Sequence, residues 1–442
     1  MQITVVGLGY VGLVTATCLA RLGQQVVGLE SDERKLKMLE AGKAPYYEPH
    51  LQAELVQQQS EGRLSFTTDP AEALQGPDLA MICVGTPSRP SGDANLDAVG
   101  SVIASIADHL ERRTVIALRS TVPVGTTRRL EKALNERLAA RNGPKNVPIF
   151  ANPEFLRTGR ALEDFLHPSR VILGRTEIAG LDDTERLEAL YRPLDAPILV
   201  LDTESAELVK NASNAYLATR ISFINEIAEL CEATGASVEA VLQGVAADPR
   251  IGGDYLRPGI GYGGSCLPKD VRSLMAMGRD HGVTMRFAEA VDAVNADQPG
   301  RAVRRLSDAL GGSLSGQRVG LLGLAFKAGT DDIRDSPALA LAIALRDAGA
   351  SVAACDPEAA APSAEVAPWI EMRDDPVEVA RDADALVLST DWPAYVIADL
   401  APLRAVMRGD LLFDARNAMD AAAVAAAGLR YFAVGRALAP EA

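Results

Sequence analysis

Ile3-Thr4-Val5-Val6-Gly7-Leu8-Gly9-Tyr10-Val11-Gly12, followed after an apolar run to Gly23 by Gln25-Val26-Val27-Gly28-Leu29-Glu30, is the stretch on which the fold turns. Ile3 to Val6 is a short β-rich run, the glycines make a turn, and the run to Gly23 reads as a helix. A second strand then closes on an acid. This is the dinucleotide fingerprint in the setting it requires. The first glycine permits the tight turn, the second admits a pyrophosphate, and the third lets the helix pack on the strand. Glu30 is placed to accept hydrogen bonds from a ribose hydroxyl and to repel a 2′-phosphate, so NAD is favoured over NADP. The cofactor positions are therefore Gly7, Gly9, Tyr10, Val11, Gly12 and Glu30. From Ile3 to Ala20 the chain runs eighteen residues without a charge, about the lower limit for a membrane span. No basic segment precedes it and three glycines interrupt it, so the expectation is a buried helix and no membrane or targeting segment.

Strand and helix continue to alternate outward from this unit. Asp78 to Val84 ends in Gly85-Thr86-Pro87, Thr114 to Leu118 ends in Arg119-Ser120-Thr121-Val122-Pro123, and Pro148 to Ala151 leads into Asn152-Pro153-Glu154-Phe155-Leu156. In doubly wound sheets ligands lie beyond the carboxyl ends of the strands, so Thr86, Thr121 and Glu154 point to one crevice. Taken singly, each also suits a turn or a helix cap.

From Glu204 to Thr234 the pattern becomes one helix, roughly 45 Å long at 1.5 Å per residue. Leu208, Ala212, Ala215, Thr219, Phe223, Ile227 and Leu230 make an apolar stripe along it. Lys210 and Asn214 are i,i+4 neighbours that project side by side, either as a functional pair or as a solvated one. Such a helix, bridging two α/β units, offers a dimer surface. A second α/β series begins near Ser315, with strands at Arg318 to Leu322, Ala350 to Cys355, Asp384 to Ser389 and Asp410 to Phe413. Its first turn, Gly323-Leu324-Ala325-Phe326-Lys327, lacks the full glycine triplet, which suits a different ligand. Ala359 to Val366 reads as a loop or weak helix, and the tail after Ala437 is expected to fray. The predicted fold class is α/β: two Rossmann-like doubly wound domains joined by a long central helix and a helical dimerisation domain. The boundaries are 1–200, 201–300 and 312–442.

The chemistry is placed at Gly261-Tyr262-Gly263-Gly264-Ser265-Cys266-Leu267-Pro268-Lys269-Asp270. Pro268 suits the start of a helix, which sets Cys266 at a helix N-terminus where partial positive charge favours thiolate. Lys269 adds a cation, and Asp270 lies one helical turn beyond the thiol. The alternative is an inert packed cysteine.

Composition bounds the remaining choices. A chain of 442 residues with 48% hydrophobic and 23% charged residues is globular and multidomain. A net charge of −15 argues against non-specific nucleic-acid binding, while leaving room for an anionic small ligand. Five scattered cysteines suit a reducing compartment, and the four histidines show no metal-ligand spacing, so no metal is expected.

Several separated motifs in order, GLGYVG at Gly7, YYEPHL at Tyr46, VGTP at Val84, STVPVGT at Ser120, NPEFL at Asn152, AELVKNASNAY at Ala206, GYGGSCLPKD at Gly261 and GLAFKAGTDDIR at Gly323, closely resemble the UDP-glucose/GDP-mannose dehydrogenase family over nearly the whole chain. The resemblance implies a cytoplasmic enzyme, a homodimer or higher homo-oligomer, that oxidises a sugar C6 alcohol to a carboxylate with two NAD per turnover. It implies that Cys266 adds to the C6 aldehyde, that Lys210 and Asn214 stabilise the oxyanion, and that Asp270, Thr121 and Glu154 position and activate water. It assigns Lys35, Thr86, Thr121, Lys269 and Arg334 to the cofactor. Glu154, Phe155, Leu156, Lys210, Asn214, Tyr255, Leu256, Arg257, Gly259, Gly263 and Lys327 fall to the nucleotide sugar. Arg250 matches an arginine that in some members reaches a neighbouring subunit's substrate, and Arg416 lies in a matching C-terminal turn. Thr158 stands where the family often has glutamate, and is treated as a cofactor-side hydrogen-bonding contact. The segment Asp248 to Tyr262 looks most like the UDP-glucose branch, with the GDP-mannose and UDP-N-acetylhexosamine branches as alternatives.

Overall fold

A Cβ on Gly12 would fall 1.9 Å from the carbonyl oxygen of Gly7, so only glycine lets the helix Tyr10–Arg21 start this close to the first strand. That packing sets the first of two units in the computed structural model, which describes residues 1–397 and 399–436. The units are Met1–Ser213 with Ala276–Gly282, and Asn214–Met275 with Val283–Ala442. The tail after Ala437 lies outside the described residues.

The first unit is built on strands β1 (Gln2–Val6), β2 (Gln25–Leu29), β3 (Leu64–Thr67), β4 (Leu79–Ile82), β5 (Val115–Leu118), β6 (Ile149–Ala151), β7 (Val171–Arg175) and β8 (Ile198–Asp202). Their order is β3-β2-β1-β4-β5-β6-β7-β8. All neighbours are parallel except β6 and β7. The strand order reverses between β1 and β4, which opens the crevice at their carboxyl ends where the glycine turn lies. Side chains alternate across the sheet: Ile3 and Val5 join one buried cluster and Val6 joins the other, as a strand covered on both faces demands. Strands β3, β7 and β8 are additions to the sequence reading; they are similar in length to β1 and β2, but no glycine turn like that after β1 follows them.

The second unit repeats the winding with β9 (Arg318–Leu322), β10 (Ser351–Cys355), β11 (Glu371–Met372), β12 (Ala385–Leu388), β13 (Leu411–Asp414) and β14 (Arg430–Ala433). These lie in the order β11-β10-β9-β12-β13-β14, all parallel. The α/β reading with two doubly wound sheets is thus what the chain forms. Ala360–Val366 is a helix. Among the described residues no helix is long and apolar enough to cross a membrane.

The long helix runs Thr203–Thr234, and its apolar stripe faces a core only in part: Ala215 is buried and Ile227 packs against a buried cluster. Leu208, Phe223 and Leu230 are 44%, 51% and 58% exposed. Besides the apolar Ala206, Ala215, Ala218, Ile224, Ala228 and Cys231, the helix buries the polar Glu207, Lys210, Asn211, Asn214, Ser222 and Asn225. These polar residues recur at helical spacing on one face. The burial is tolerable because most of them are bonded to other segments of their own unit.

Candidate active site

In the first unit the glycine turn has the shape a dinucleotide needs. A Cβ on Gly9 would meet nothing within 4 Å, so the space over the helix start is open. Gly9 is the N-cap and no side chain caps the helix, which leaves backbone N–H groups free to bind a pyrophosphate. Glu30 is buried at the end of β2; its Oε2 accepts from Leu8 N at 3.1 Å and its Oε1 from Asp32 N at 3.0 Å. A carboxylate has about four acceptor positions, so ribose hydroxyls can still be received. The site fits NAD.

Tyr10 and Val11 open the helix that follows. Burial pushes the Tyr10 phenol well up, and its partners are Glu48 and Thr158. Glu48, quoted within YYEPHL but given no role above, is buried and also accepts from Gly159 N at 2.6 Å and Ala161 N at 2.7 Å. It ties the loop after NPEFL to the glycine turn. Its signal in the sequence was a lone acid within an aromatic and proline tract. Thr158 therefore meets Tyr10. Lys35 lies with its Nζ 5.5 Å from the Tyr46 ring centroid.

Thr86 and Thr121 are brought together: Thr86 Oγ1 donates to the Thr121 carbonyl at 2.7 Å. Glu154 is engaged elsewhere. Its Oε1 receives Lys210 Nζ at 3.2 Å and its Oε2 receives Leu156 N at 2.6 Å, with lysine and glutamate both buried. Phe155 lies under two cations, Arg170 at 3.8 Å and Lys210 at 5.4 Å from its ring centroid. Two further buried charges hold these loops. Glu207 accepts from Gly125 N, Thr127 N and Thr127 Oγ1 at 2.6 to 2.7 Å. Arg119 donates to Asn152 Oδ1 and Tyr191 Oη, each at 2.9 Å.

In the second unit Cys266 immediately precedes the helix Leu267–Asp280, and Asp270 N donates to the Cys266 carbonyl at 2.9 Å. The thiol is therefore at the helix N-terminus, with Pro268 second rather than first in the helix. Cys266 is partly exposed, whereas the other four cysteines are buried. Burial pushes Cys18 and Cys83 up to about 12 and Cys355 up to about 11, and raises Cys231 as well. Those four remain protonated and unreactive near neutrality. Asp270 is fully buried; its Oδ2 accepts from Asn214 Nδ2 at 2.6 Å and its Oδ1 from Lys269 Nζ.

The segment before Cys266 packs against the second sheet's first turn. A Cβ on Gly263 would sit 2.1 Å from the Asp335 carbonyl oxygen, and Gly264 N donates to the Arg334 carbonyl at 2.9 Å. Arg334 itself is exposed and pairs with Asp332. Lys327 follows Phe326, whose ring is 5.6 Å from the lysine Nζ. Tyr255 adopts a left-handed φ of 60°, and Leu256 is buried. Gly259 N donates to Asn225 Oδ1 at 2.9 Å. Arg257 and Arg416 flank Asp391 at 3.8 and 3.5 Å. Arg250 is exposed and paired with Asp248.

The altered phosphate turn of this unit has a visible cause. Asp356, at the end of β10 where β2 carries Glu30, accepts from Leu324 N at 2.7 Å, Ala325 N at 3.0 Å, Trp392 Nε1 at 3.1 Å, Glu358 N at 3.0 Å and Ala359 N at 2.8 Å. The chain itself saturates this carboxylate, so it has no capacity left for a ribose.

The chain matches three domain families in succession: UDP-glucose/GDP-mannose dehydrogenase family, NAD binding domain over residues 1–195; the central domain over 204–297; and the UDP binding domain over 320–421. It is 41% identical to a UDP-glucose 6-dehydrogenase of Rhizobium meliloti strain 1021, covering 99% of this chain and 100% of the relative. It is 39% identical to UDP-glucose 6-dehydrogenase YwqF of Bacillus subtilis strain 168, covering 99% and 98%. A solved UDP-glucose dehydrogenase structure from Pyrobaculum islandicum superposes with a TM-score of 0.91 at 36% identity, covering 99% and 98%. An open dinucleotide turn, a thiol at a helix start beside a buried Asn–Asp pair, and likeness along the full chain agree: this protein belongs to the UDP-glucose/GDP-mannose dehydrogenase family.

Proposed function

We propose that this protein oxidises the C6 alcohol of UDP-glucose to the carboxylate, giving UDP-glucuronate with two NAD consumed per sugar. The observation that carries the reading is the buried bond between Asn214 and Asp270, one helical turn past the only partly exposed cysteine. Identities near 40% to UDP-glucose 6-dehydrogenases over the full chain support UDP-glucose over other sugars.

NAD, when bound, supplies the oxidant by accepting a hydride at each of the two oxidations. Gly7, Gly9, Gly12 and Glu30 would hold it, and the family resemblance also assigns Lys35, Thr86, Lys269 and Arg334 to it. Cys266 Sγ adds to the C6 aldehyde left by the first oxidation, forming a C–S bond and a thiohemiacetal. The second oxidation turns this into a thioester, and water replaces sulfur at C6 to release the carboxylate and the thiol. Lys210 and Asn214, one turn apart on the long helix, donate to the oxygen that becomes negative in these steps. Asp270, with Thr121 and Glu154, orients water and takes up the released proton. Phe155, Leu156, Tyr255 to Gly259, Gly263, Lys327 and Arg416 hold the nucleotide sugar, and Arg250 serves a neighbouring subunit.

The protein works as a homodimer or larger homo-oligomer, with Leu208, Tyr216, Phe223 and Leu230 on the exposed face of the long helix as the contact surface. Five cysteines that form no disulfide suit a cytoplasmic setting. The deciding assay follows NADH with UDP-glucose beside GDP-mannose. Two NADH per UDP-glucose support the proposal, whereas one NADH with free aldehyde as the final product overturns it.

A further inference from the structure

Residues 251–266 carry no helix or strand, yet this loop holds the thiol and the proposed nucleotide-sugar contacts. Its backbone must find hydrogen bonds outside regular secondary structure, and in the second unit side-chain amides supply several of them. Asn295, on the helix Arg286–Ala309, grips one residue with both ends of its amide. Its Oδ1 accepts from Tyr262 N at 2.8 Å, and its Nδ2 donates to the Tyr262 carbonyl at 3.0 Å. This is the paired exchange that a neighbouring strand would make. Contact is close enough that a Cβ on the adjacent Gly261 would sit 2.7 Å from Asn295 Oδ1.

Nearer the start of the loop, Asn225 on the long helix accepts from Gly259 N at 2.9 Å, and Asn417 Nδ2 donates to the Pro258 carbonyl at 3.2 Å. Asn225 is fully buried, and its Nδ2 has no partner among the described residues, so its contribution is the single acceptor. The two clamps lie on opposite sides of Ile260. One adjoins the segment proposed to bind the nucleotide, the other the three residues that lead to Cys266.

We propose that Asn295 is a positioning residue for Cys266, and that Asn225 is its counterpart for the nucleotide-sugar segment. The two act through the backbone of one loop, without touching substrate. Tyr262 adds a reason for the first clamp: it is buried and packed with Val271, Ala288 and Val291, so fixing its backbone fixes where the turn into Cys266 begins. The proposal rests on the function proposed above.

The test is steady-state kinetics on the full chain with UDP-glucose and NAD, joined to trapping of free C6 aldehyde with semicarbazide. Wild-type enzyme must first give two NADH per sugar; failure there sinks the reaction assignment, not the clamps. Given that, Asn295→Ala is expected to lower kcat about tenfold, the scale of a lost pair of hydrogen bonds to a buried group. KM should stay within about threefold, and trappable aldehyde should appear because thiol addition lags behind the first oxidation. Asn295→Asp, which keeps the acceptor for Tyr262 N, should fall between wild type and alanine and serves if the alanine variant does not fold. Asn225→Ala should do the reverse, raising KM for UDP-glucose about tenfold with little trappable aldehyde. Equal changes in kcat and KM for both variants, or no aldehyde from either Asn295 variant, would overturn the proposal.

Discussion

Asn214 Nδ2 donates to Asp270 Oδ2 at 2.6 Å, and both residues are buried. A donor fixed this tightly before any reaction costs no reorganisation when negative charge develops nearby. Asn214→Ala removes that donor and leaves a fully buried carboxylate with Lys269 as its remaining side-chain partner. We expect kcat to fall by about 10² to 10³, the range for a lost oxyanion donor. The melting temperature should also drop, because a buried acceptor loses its bond. Stopped-flow NADH measurements beside calorimetry will check both, and a kcat within threefold of wild type would remove Asn214 from the mechanism.

Replacing Cys266 with serine tests the sulfur directly. The other four thiols are buried, so iodoacetamide should label wild-type protein once and the serine variant not at all. NADH per sugar should fall from two to no more than one, with NAD affinity measured by calorimetry unchanged. A serine variant that still releases two NADH would rule out the thioester.

The two inner glycines of the first turn should respond oppositely to alanine. At Gly12 the added Cβ meets Gly7 O at 1.9 Å, while at Gly9 it meets nothing within 4 Å. Gly12→Ala should destabilise the protein by about 3 kcal/mol or more, an overpacking cost raised by contact with backbone that cannot rotate away. Gly9→Ala should melt like wild type and raise the KM for NAD, since the space it fills is the cofactor's. Equal melting temperatures for the two variants would contradict this geometry.

Alkaline stability follows from buried acids. The phenols of Tyr10, Tyr191, Tyr262, Tyr395 and Tyr431 are all pushed up by burial, and Cys18 and Cys83 rise to about 12. In an unfolded chain thiols ionise near about 8.5 and phenols near about 10. Above those values the unfolded chain gives up protons that the folded chain keeps, so stability is full below about pH 8.5 and declines as pH rises. Calorimetric melting from pH 7 to 11 should show this decline, and a flat profile would mean these groups ionise as readily folded as unfolded.

Charge on the outer face of the long helix should dissociate the assembly. Phe223 and Leu230 are 51% and 58% exposed, and Phe223→Asp with Leu230→Asp places two carboxylates where a partner's apolar face is proposed to sit. Light scattering should show a monomer for the double variant. An unchanged mass would move the contact surface elsewhere.

What the amino-acid order determined on its own was local. Gly7, Gly9, Gly12 and Glu30 announce their fold because a dinucleotide turn needs fixed residue types at fixed short spacing, and the Cys266-to-Asp270 spacing does the same for a helix start. Tertiary structure decided which face of the long helix is inside. An apolar stripe reads as core-facing by the hydrophobic effect, yet in Thr203–Thr234 the large side chains of that stripe, Leu208, Phe223 and Leu230, are exposed. Glu207, Lys210, Asn214 and Asn225 are buried as well because their partners, Thr127, Glu154, Asp270 and Gly259, come from segments 34 to 80 residues away. Asn295 and Glu48 were silent for the same reason. Each bonds to backbone far along the chain, and a backbone N–H or C=O has no residue identity by which a sequence could point to it.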